Sequence, residues 1–146
     1  MAEAKEFCTF YLGELMLGVE VSRVQEIIRY QPMTRVPLAP HAVRGLINLR
    51  GKIVTAIDLR RRLELADRDA ESLPMNVVID TPDGSVSLLV DRIGDVIDVP
   101  DEAFERPPEM LHGAARDLIT GAYKLPDRLL LVLDIEKAVD AVEPAR

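Results

Sequence analysis

The sequence predicts a mainly β protein in which two small β-barrels pack around a shared core, with short helices and a C-terminal helix. Short apolar segments are separated by proline and glycine turn signals, a pattern typical of short strands. Residues 21–28 align with residues 90–97 with three identities, so the chain carries a weak internal repeat. The chain has 146 residues, the size of one ordinary domain, and each half is too short for a good core of its own. Two barrels that share a core satisfy all three observations.

The first half is predicted to hold strands and tight turns up to a short helix. Three prolines place its middle segments at edges or bends, because proline cannot donate to a sheet. Ser22 is a candidate N-cap for one helical turn, and Arg50 and Gly51 form a hairpin turn. In order, we predict strands at 7–12 and 15–21, a helical turn at 22–25, extended segments at 27–30 and 34–36, a helical turn at 40–44, a hairpin of 45–49 with 52–59, and a helix at 60–65.

The second half follows a polar loop at residues 66–74 and returns to strands. Turn signals lie at 82–84 (Pro-Asp-Gly) and at 126–127 (Pro-Asp). Residues 100–115 hold three prolines and no sustained period, which predicts a long connection. In order, we predict strands at 76–80, 85–90 and 96–99, a hairpin of 118–124 with 128–133, and a terminal helix at 134–142 with Asp134 as its cap.

The repeat predicts how the single domain, residues 1–146, is divided. We expect two barrel subdomains, roughly 7–65 and 75–142, whose strands either stay separate or interlace. The alternative is that any two β-rich halves align a little by chance.

No arrangement of side chains indicates catalysis, a metal site or a cofactor. Cys8 lies in a predicted strand beside aromatic residues and is expected to be a buried apolar side chain. His41 and His112 lie in predicted loops without ligands at the usual spacing, and no glycine-rich phosphate loop is present. Asp58 and Asp134 each end an apolar strand and open a helix, so they are either N-caps or a carboxylate pair for acid–base chemistry. We expect no catalytic residue, no metal and no cofactor.

Composition argues against nucleic-acid and membrane partners. The net charge is -7, tryptophan is absent, and only three Phe and three Tyr occur, whereas single-stranded nucleic acid is bound by positive grooves with stacking aromatics. No apolar run approaches the length of about 18 residues that a membrane-spanning helix needs. The N-terminal residues lack the pattern of a signal peptide. We therefore expect a cytoplasmic protein that does not insert into a membrane.

Charge is unevenly distributed along the chain. Residues 22–62 contain nine basic side chains and only two acidic ones, although the whole chain is acidic. In a β-rich segment alternate residues point to one face, so many of these arginines can share a surface. The surface is either a solvated rim or a docking face for an acidic protein, since the planar guanidinium binds carboxylates in a bidentate way.

Five motifs, taken together and at their intervals, resemble the CheW family of coupling proteins in bacterial chemotaxis. They are FYLG at 10–13, GVEV at 18–21, VQEI at 24–27 followed by Tyr30, GLINLRG at 45–51 and IDLR at 57–60. The resemblance continues through 89–91, 94–96, 119–121 and 133–136, so it covers nearly the whole chain. Family members often carry a proline where this chain has IVTA at 53–56, a departure with little bearing on the fold.

The resemblance implies a fold of two five-stranded SH3-like barrels and a function without catalysis. A CheW-like protein bridges the cytoplasmic tip of a chemoreceptor and the regulatory domain of the histidine kinase CheA, in receptor arrays on the inner face of the membrane. The implied receptor contacts are Val24, Glu26, Gly45, Arg50, Gly51 and Val96, and the implied kinase contacts are Ile53 and Val77. Val24 and Val96 are expected to border one groove between the barrels.

Two other interpretations stay open at the level of sequence. The chain could be a CheW-like adaptor of a pathway that controls pili or gene expression and not flagella. It could also be a small-barrel enzyme or ligand-binding module whose site the sequence does not reveal.

Overall fold

The computed structural model describes residues 4–109 and 111–140, which form eleven strands and three short α-helices. The strands are β1 (Ala4–Leu12), β2 (Leu15–Glu20), β3 (Val24–Ile28), β4 (Val43–Leu49), β5 (Lys52–Asp58), β6 (Met75–Thr81), β7 (Gly84–Val90), β8 (Arg92–Pro100), β9 (Phe104–Glu105), β10 (Ile119–Lys124) and β11 (Leu129–Leu133). The helices are α1 (Leu59–Arg62), α2 (Gly113–Leu118) and α3 (Ile135–Val139), with 3-10 turns at Val21–Arg23 and Asp101–Ala103.

The strands form two sheets with matching topology. Sheet A has the order β8-β1-β2-β11-β10-β9, and sheet B has the order β3-β6-β7-β5-β4. Each sheet joins two antiparallel hairpins through one parallel pair, β2 with β11 in sheet A and β7 with β5 in sheet B. The predicted class, a mainly β fold with two small barrels, is confirmed.

The sheets exchange one strand each. After the β1–β2 hairpin, β3 crosses to the edge of sheet B and pairs with β6; after the β6–β7 hairpin, β8 crosses to the edge of sheet A and pairs with β1. These two strands contain most of the internal repeat, so the repeated segments occupy equivalent places. Each sheet consequently draws strands from both of the ranges 7–65 and 75–142, and a subdomain boundary between those ranges stays a prediction.

The buried apolar residues form three clusters that follow this arrangement. The largest lies between the sheets and joins Phe10 and Leu17 of sheet A to Ile57 and Leu88 of sheet B. A second cluster lies within sheet A around Phe7, and a third lies within sheet B, where it includes Ile47, Ala56 and Leu89. Because one core is common to both sheets, neither barrel is an independent unit in its packing.

Both candidate aspartates serve as N-caps. The Asp58 carboxylate accepts the Arg60 N–H (3.1 Å) at the start of α1, and the Asp134 carboxylate accepts the Lys137 N–H (3.1 Å) at the start of α3. These bonds satisfy N–H groups that the helix itself leaves unpaired. The predicted end of the terminal helix at residue 142 lies outside the described residues.

Three local predictions were wrong. The 3-10 turn begins at Val21, and Gln25 of the predicted helical turn lies in β3. Residues 40–44 form a reverse turn closed by the Val43 N–H to Pro40 carbonyl bond (2.9 Å), and then β4 starts. The predicted long connection at 100–115 holds β9 and the start of α2, which makes sheet A six-stranded and not five-stranded.

Candidate binding surface

The hairpin between β4 and β5 has a tight two-residue turn. Arg50 (φ 51°) and Gly51 (φ 87°) both adopt left-handed backbone, the geometry of the turns that match strand twist. The Gly51 N–H donates to the Asn48 Oδ1 (2.9 Å), and Leu49 pairs with Lys52 at the ends of the strands. The turn holds the Arg50 side chain out from the sheet, with 75% of its surface exposed.

An ion pair joins Arg50 to Glu26, so two of the predicted contact residues meet in space. Glu26 lies on β3 and Arg50 follows β4, and these strands are the opposite edges of sheet B. The Arg50 Nη2 contacts the Glu26 Oε2. The pair therefore connects the two edges of the sheet at one end of its barrel, in a position open to solvent.

A groove of about 310 Å³ lies beside this ion pair. Its apolar floor is formed by Val54 and Val78, and its polar rim includes Gln25, Glu26 and Arg50. We call Glu26, Arg50, Gly51 and the adjoining groove the β4–β5 surface. It combines a charged pair with an apolar floor, which suits an amphipathic partner.

Ile53 is an exposed apolar residue on the strand that follows the turn. Its side chain is 64% exposed, while its neighbour Val54 is buried, since successive side chains of a strand point to opposite faces. Ile53 pairs with Asn48 of β4 near the turn, before β5 begins to pair with β7 at Thr55, so its side chain is open to a protein partner.

The structure buries two of the predicted contacts, whose roles stay predictions. Val77 on β6 has no exposed surface and packs in the core between the sheets. Gly45 on β4 is also buried, beneath the chain that precedes it: a Cβ atom there would lie 2.5 Å from the Thr34 carbonyl oxygen. Gly45 thus permits a close backbone approach within the protein, and neither residue presents a side chain to a partner.

Val24 and Val96 lie in equivalent strands of different sheets. Val24 starts β3, opposite Ile79, and packs against the central core; Val96 lies on β8, opposite Cys8, and is more than half exposed. The expectation that both border one groove stays a prediction.

A buried network of ion pairs, which the sequence did not reveal, centres on Arg68. Its guanidinium donates to Asp58 (3.1 and 3.2 Å) and to Asp91 (3.1 Å), and it is only 5% exposed. Asp58 also accepts from Arg44 (3.2 Å), and Asp91 accepts from Arg60 (2.9 Å). The network ties the polar loop at 66–74 to the end of β5 and to the junction of β7 with β8.

The electrostatics of Asp91 follow from this network. Burial by itself would raise its pKa, but hydrogen bonds from Arg60, from the Gly13 N–H (2.7 Å) and from Arg68 outweigh burial and hold the pKa at about 2. A carboxyl whose pKa is lowered on folding stabilises the folded protein at every pH above the pKa that the group has in the unfolded chain. That contribution is lost as pH falls from about 4 towards 2.

The other candidate groups do not assemble a reactive site. Cys8 is buried, and burial raises the pKa of its thiol, which disfavours the reactive thiolate. His41 and His112 are exposed. Within residues 4–109 and 111–140, no group of three or more His, Cys, Asp or Glu side chains is placed to hold a metal ion. No helix of the described chain is long and apolar enough to cross a bilayer.

Comparison with known proteins identifies the family. The family model of the CheW-like domain matches residues 6–143. The chain belongs to the CheW-like family. It is 33% identical to the chemotaxis protein CheW of Treponema pallidum over 145 residues, which is 97% of this chain and 85% of that protein. It is also 33% identical to the chemotaxis protein CheW of Bacillus subtilis, covering 93% of this chain and 87% of that one.

A solved structure of a family member has the same fold. The scaffolding protein TtCheW from Thermoanaerobacter tengcongensis superposes with a TM-score of 0.80 at 26% identity, over 90% of each chain. The CheW-like chain described here therefore has the same mainly β, SH3-like fold as that scaffolding protein.

Proposed function

We propose that the protein couples chemoreceptors to the histidine kinase CheA in a bacterial chemosensory array, at the inner face of the membrane. One observation carries the proposal: in a chain that matches the CheW-like family over 6–143, the exposed residues of the GLINLRG motif and Glu26 come together on one surface. A scaffold acts by presenting such surfaces to two partners.

The β4–β5 surface is our candidate for the receptor. The cytoplasmic tip of a chemoreceptor is a helical hairpin, and an amphipathic helix docks where an apolar groove is flanked by charges. Val54 and Val78 supply the apolar floor, and Glu26 and Arg50 can exchange their mutual ion pair for pairs with a receptor helix. Val24 and Val96 remain candidate receptor contacts on β3 and β8.

Ile53 is our candidate for the kinase contact. It points away from the groove floor on the same strand, so a second partner can bind there without displacing the first. Its side chain is 64% exposed, and burial of an isoleucine typically contributes about 1.5–3 kcal/mol.

We expect Ile53→Glu to weaken binding of the CheA regulatory domain at least tenfold and to leave receptor binding within twofold. The charge would have to be buried at an apolar contact, whereas the free protein is unaffected because the side chain is already solvated. Isothermal titration against each partner separately tests this, with Leu73→Glu as a control at a similarly exposed apolar side chain in the 66–74 loop. Unchanged kinase affinity in Ile53→Glu would contradict the assignment, and a thermal melt excludes loss of the fold.

The proposed coupling role does not specify which cellular response the array controls. The same adaptor chemistry serves flagellar pathways and pathways that control pili or gene expression. We propose the chemotactic pathway, because the full-length relatives described above are named as chemotaxis proteins.

A further inference from the structure

A second surface lies at the start of β4, beside the loop that connects β3 to β4. The loop spans residues 29–42, fourteen residues without a helix or a strand of its own. Irregular loops of this length are uncommon in compact domains and are usually functional when they are ordered. The coupling function proposed above does not use this loop.

The loop is pinned to the sheet at several points. Thr34 and Leu46 exchange two backbone hydrogen bonds (2.9 and 2.8 Å), and the Asn76 side chain donates to the Arg29 carbonyl (3.0 Å). The Asp58 N–H donates to the Ala42 carbonyl (2.8 Å) at the other end of the loop. The pocket beneath it is therefore formed before any partner binds.

The pocket is basic. It has a volume of about 660 Å³, and four of its lining side chains are Arg35, His41, Arg44 and Arg61. None of the described residues that line it carries a carboxylate. Because it lies in the segment 22–62, where basic residues outnumber acidic ones nine to two, its surroundings add to the positive potential.

Two of the three guanidinium groups, those of Arg44 and Arg61, are held by contacts within the protein. Arg44 donates to Asp58 (3.2 Å), but that carboxylate is shared with Arg68. Arg61 donates to the His41 carbonyl (3.2 Å), and its ion pair is with the exposed Asp67 (3.3 Å). Arg35 forms no ion pair with any described residue.

We propose that this pocket binds an acidic segment of a protein partner, with Asp or Glu carboxylates accepted by Arg35, Arg44 and Arg61. Arginine forks bind carboxylates in a bidentate way, and the held forks of Arg44 and Arg61 lose little freedom on binding. Leu38 is fully exposed, and Val36 is partly exposed at the same pocket. These side chains and the volume suit a peptide with apolar residues between its acidic ones, and they exceed what an inorganic anion requires.

The test uses a fluorescein-labelled ten-residue peptide of alternating Glu and Leu, with a Gln-for-Glu peptide as its control. Fluorescence anisotropy with the full chain should show binding of the Glu peptide only, weakening as salt rises from 50 to about 300 mM. Arg35→Glu should weaken binding at least tenfold. The same charge change at the exposed Arg106, in the connection beside sheet A, should change it less than twofold. Because Arg35 and Arg106 are both exposed, both variants should keep the wild-type melting temperature.

Three results would overturn the proposal. The first is equal affinity for the two peptides, and the second is an equal loss of affinity for the Glu peptide in Arg35→Glu and Arg106→Glu. The third is full competition by inorganic phosphate at concentrations below that of the peptide, which would make this a small-anion site. Arg50→Glu should retain peptide binding, so a failure of the receptor assignment is distinguishable from a failure here.

Discussion

Arg68→Ala should destabilise the protein by about 3–5 kcal/mol, the largest stability effect that we expect from any single loop residue. Arg68 is the one cation that contacts both Asp58 and Asp91 among the described residues, and all three side chains are largely buried. Its removal leaves two buried carboxylates with fewer hydrogen-bond partners. The loss of stability from an unpaired buried carboxylate is far larger than the gain in stability from an exposed ion pair. Urea denaturation measures the change in the free energy of unfolding.

The matched control for this variant is Arg106→Ala. Arg106 is exposed in a connection of the second half, and its truncation should change stability by no more than about 0.5 kcal/mol. If Arg68→Ala also stays within about 1 kcal/mol, the network does not tie the 66–74 loop to the two sheets. A drop in receptor or kinase binding is not expected while the variant remains folded.

Arg50→Glu should abolish receptor binding, with a loss of at least a hundredfold, and should leave kinase binding within about threefold. The substitution removes a guanidinium from the β4–β5 surface, so an acidic receptor side chain loses its ion-pair partner. It also places two carboxylates side by side, and these repel an acidic receptor surface. Arg50→Ala should lose about tenfold, since it removes the attraction without adding repulsion. Titration calorimetry with each partner measures both.

The double variant Glu26→Arg with Arg50→Glu separates direct contact from internal structure. It restores an ion pair between the same two positions but inverts the charges that a partner meets. If Arg50 contacts the receptor directly, the double variant stays defective. Recovery of wild-type receptor affinity would show that the pair acts only by joining the two edges of sheet B.

The strands and their turns were predictable because their signals are local. The hairpin turn at Arg50 and Gly51 and the N-caps at Asp58 and Asp134 depend on a few neighbouring residues, and the structure confirms them. The repeat pointed to two similar units. Which sheet β3 and β8 would join depends on contacts far apart in the chain, so local patterns left separate and interlaced strands equally open.

The elements that were missed depend on tertiary contacts. Strand β9 has two residues, and it exists because Gly121 leaves room for the Phe104 ring, which packs on Tyr123 at 5.3 Å between centroids. Arg68 lies in a segment that reads as a polar loop, and only the fold brings Asp58 and Asp91 to it.

Two of the family-based contact assignments, which stay predictions, fall on residues whose burial the motif did not reveal. A motif identifies positions but does not give their exposure, and Val77 and Gly45 are both buried. Val77, Val78 and Ile79 are three consecutive apolar residues in β6, a pattern typical of a strand covered on both faces. That signal was available in the sequence and favoured a core role for Val77.

Assembly of three purified components tests the central claim most directly. Analytical ultracentrifugation is performed with a chemoreceptor cytoplasmic fragment, the CheA regulatory domain and this protein, in every pair and all together. We predict a complex that contains all three, with the kinase domain sedimenting with the receptor fragment only when this protein is present, and no such complex with Arg50→Glu. Competition between receptor and kinase domain for this protein, so that binding of one releases the other, would contradict its role as a coupling scaffold.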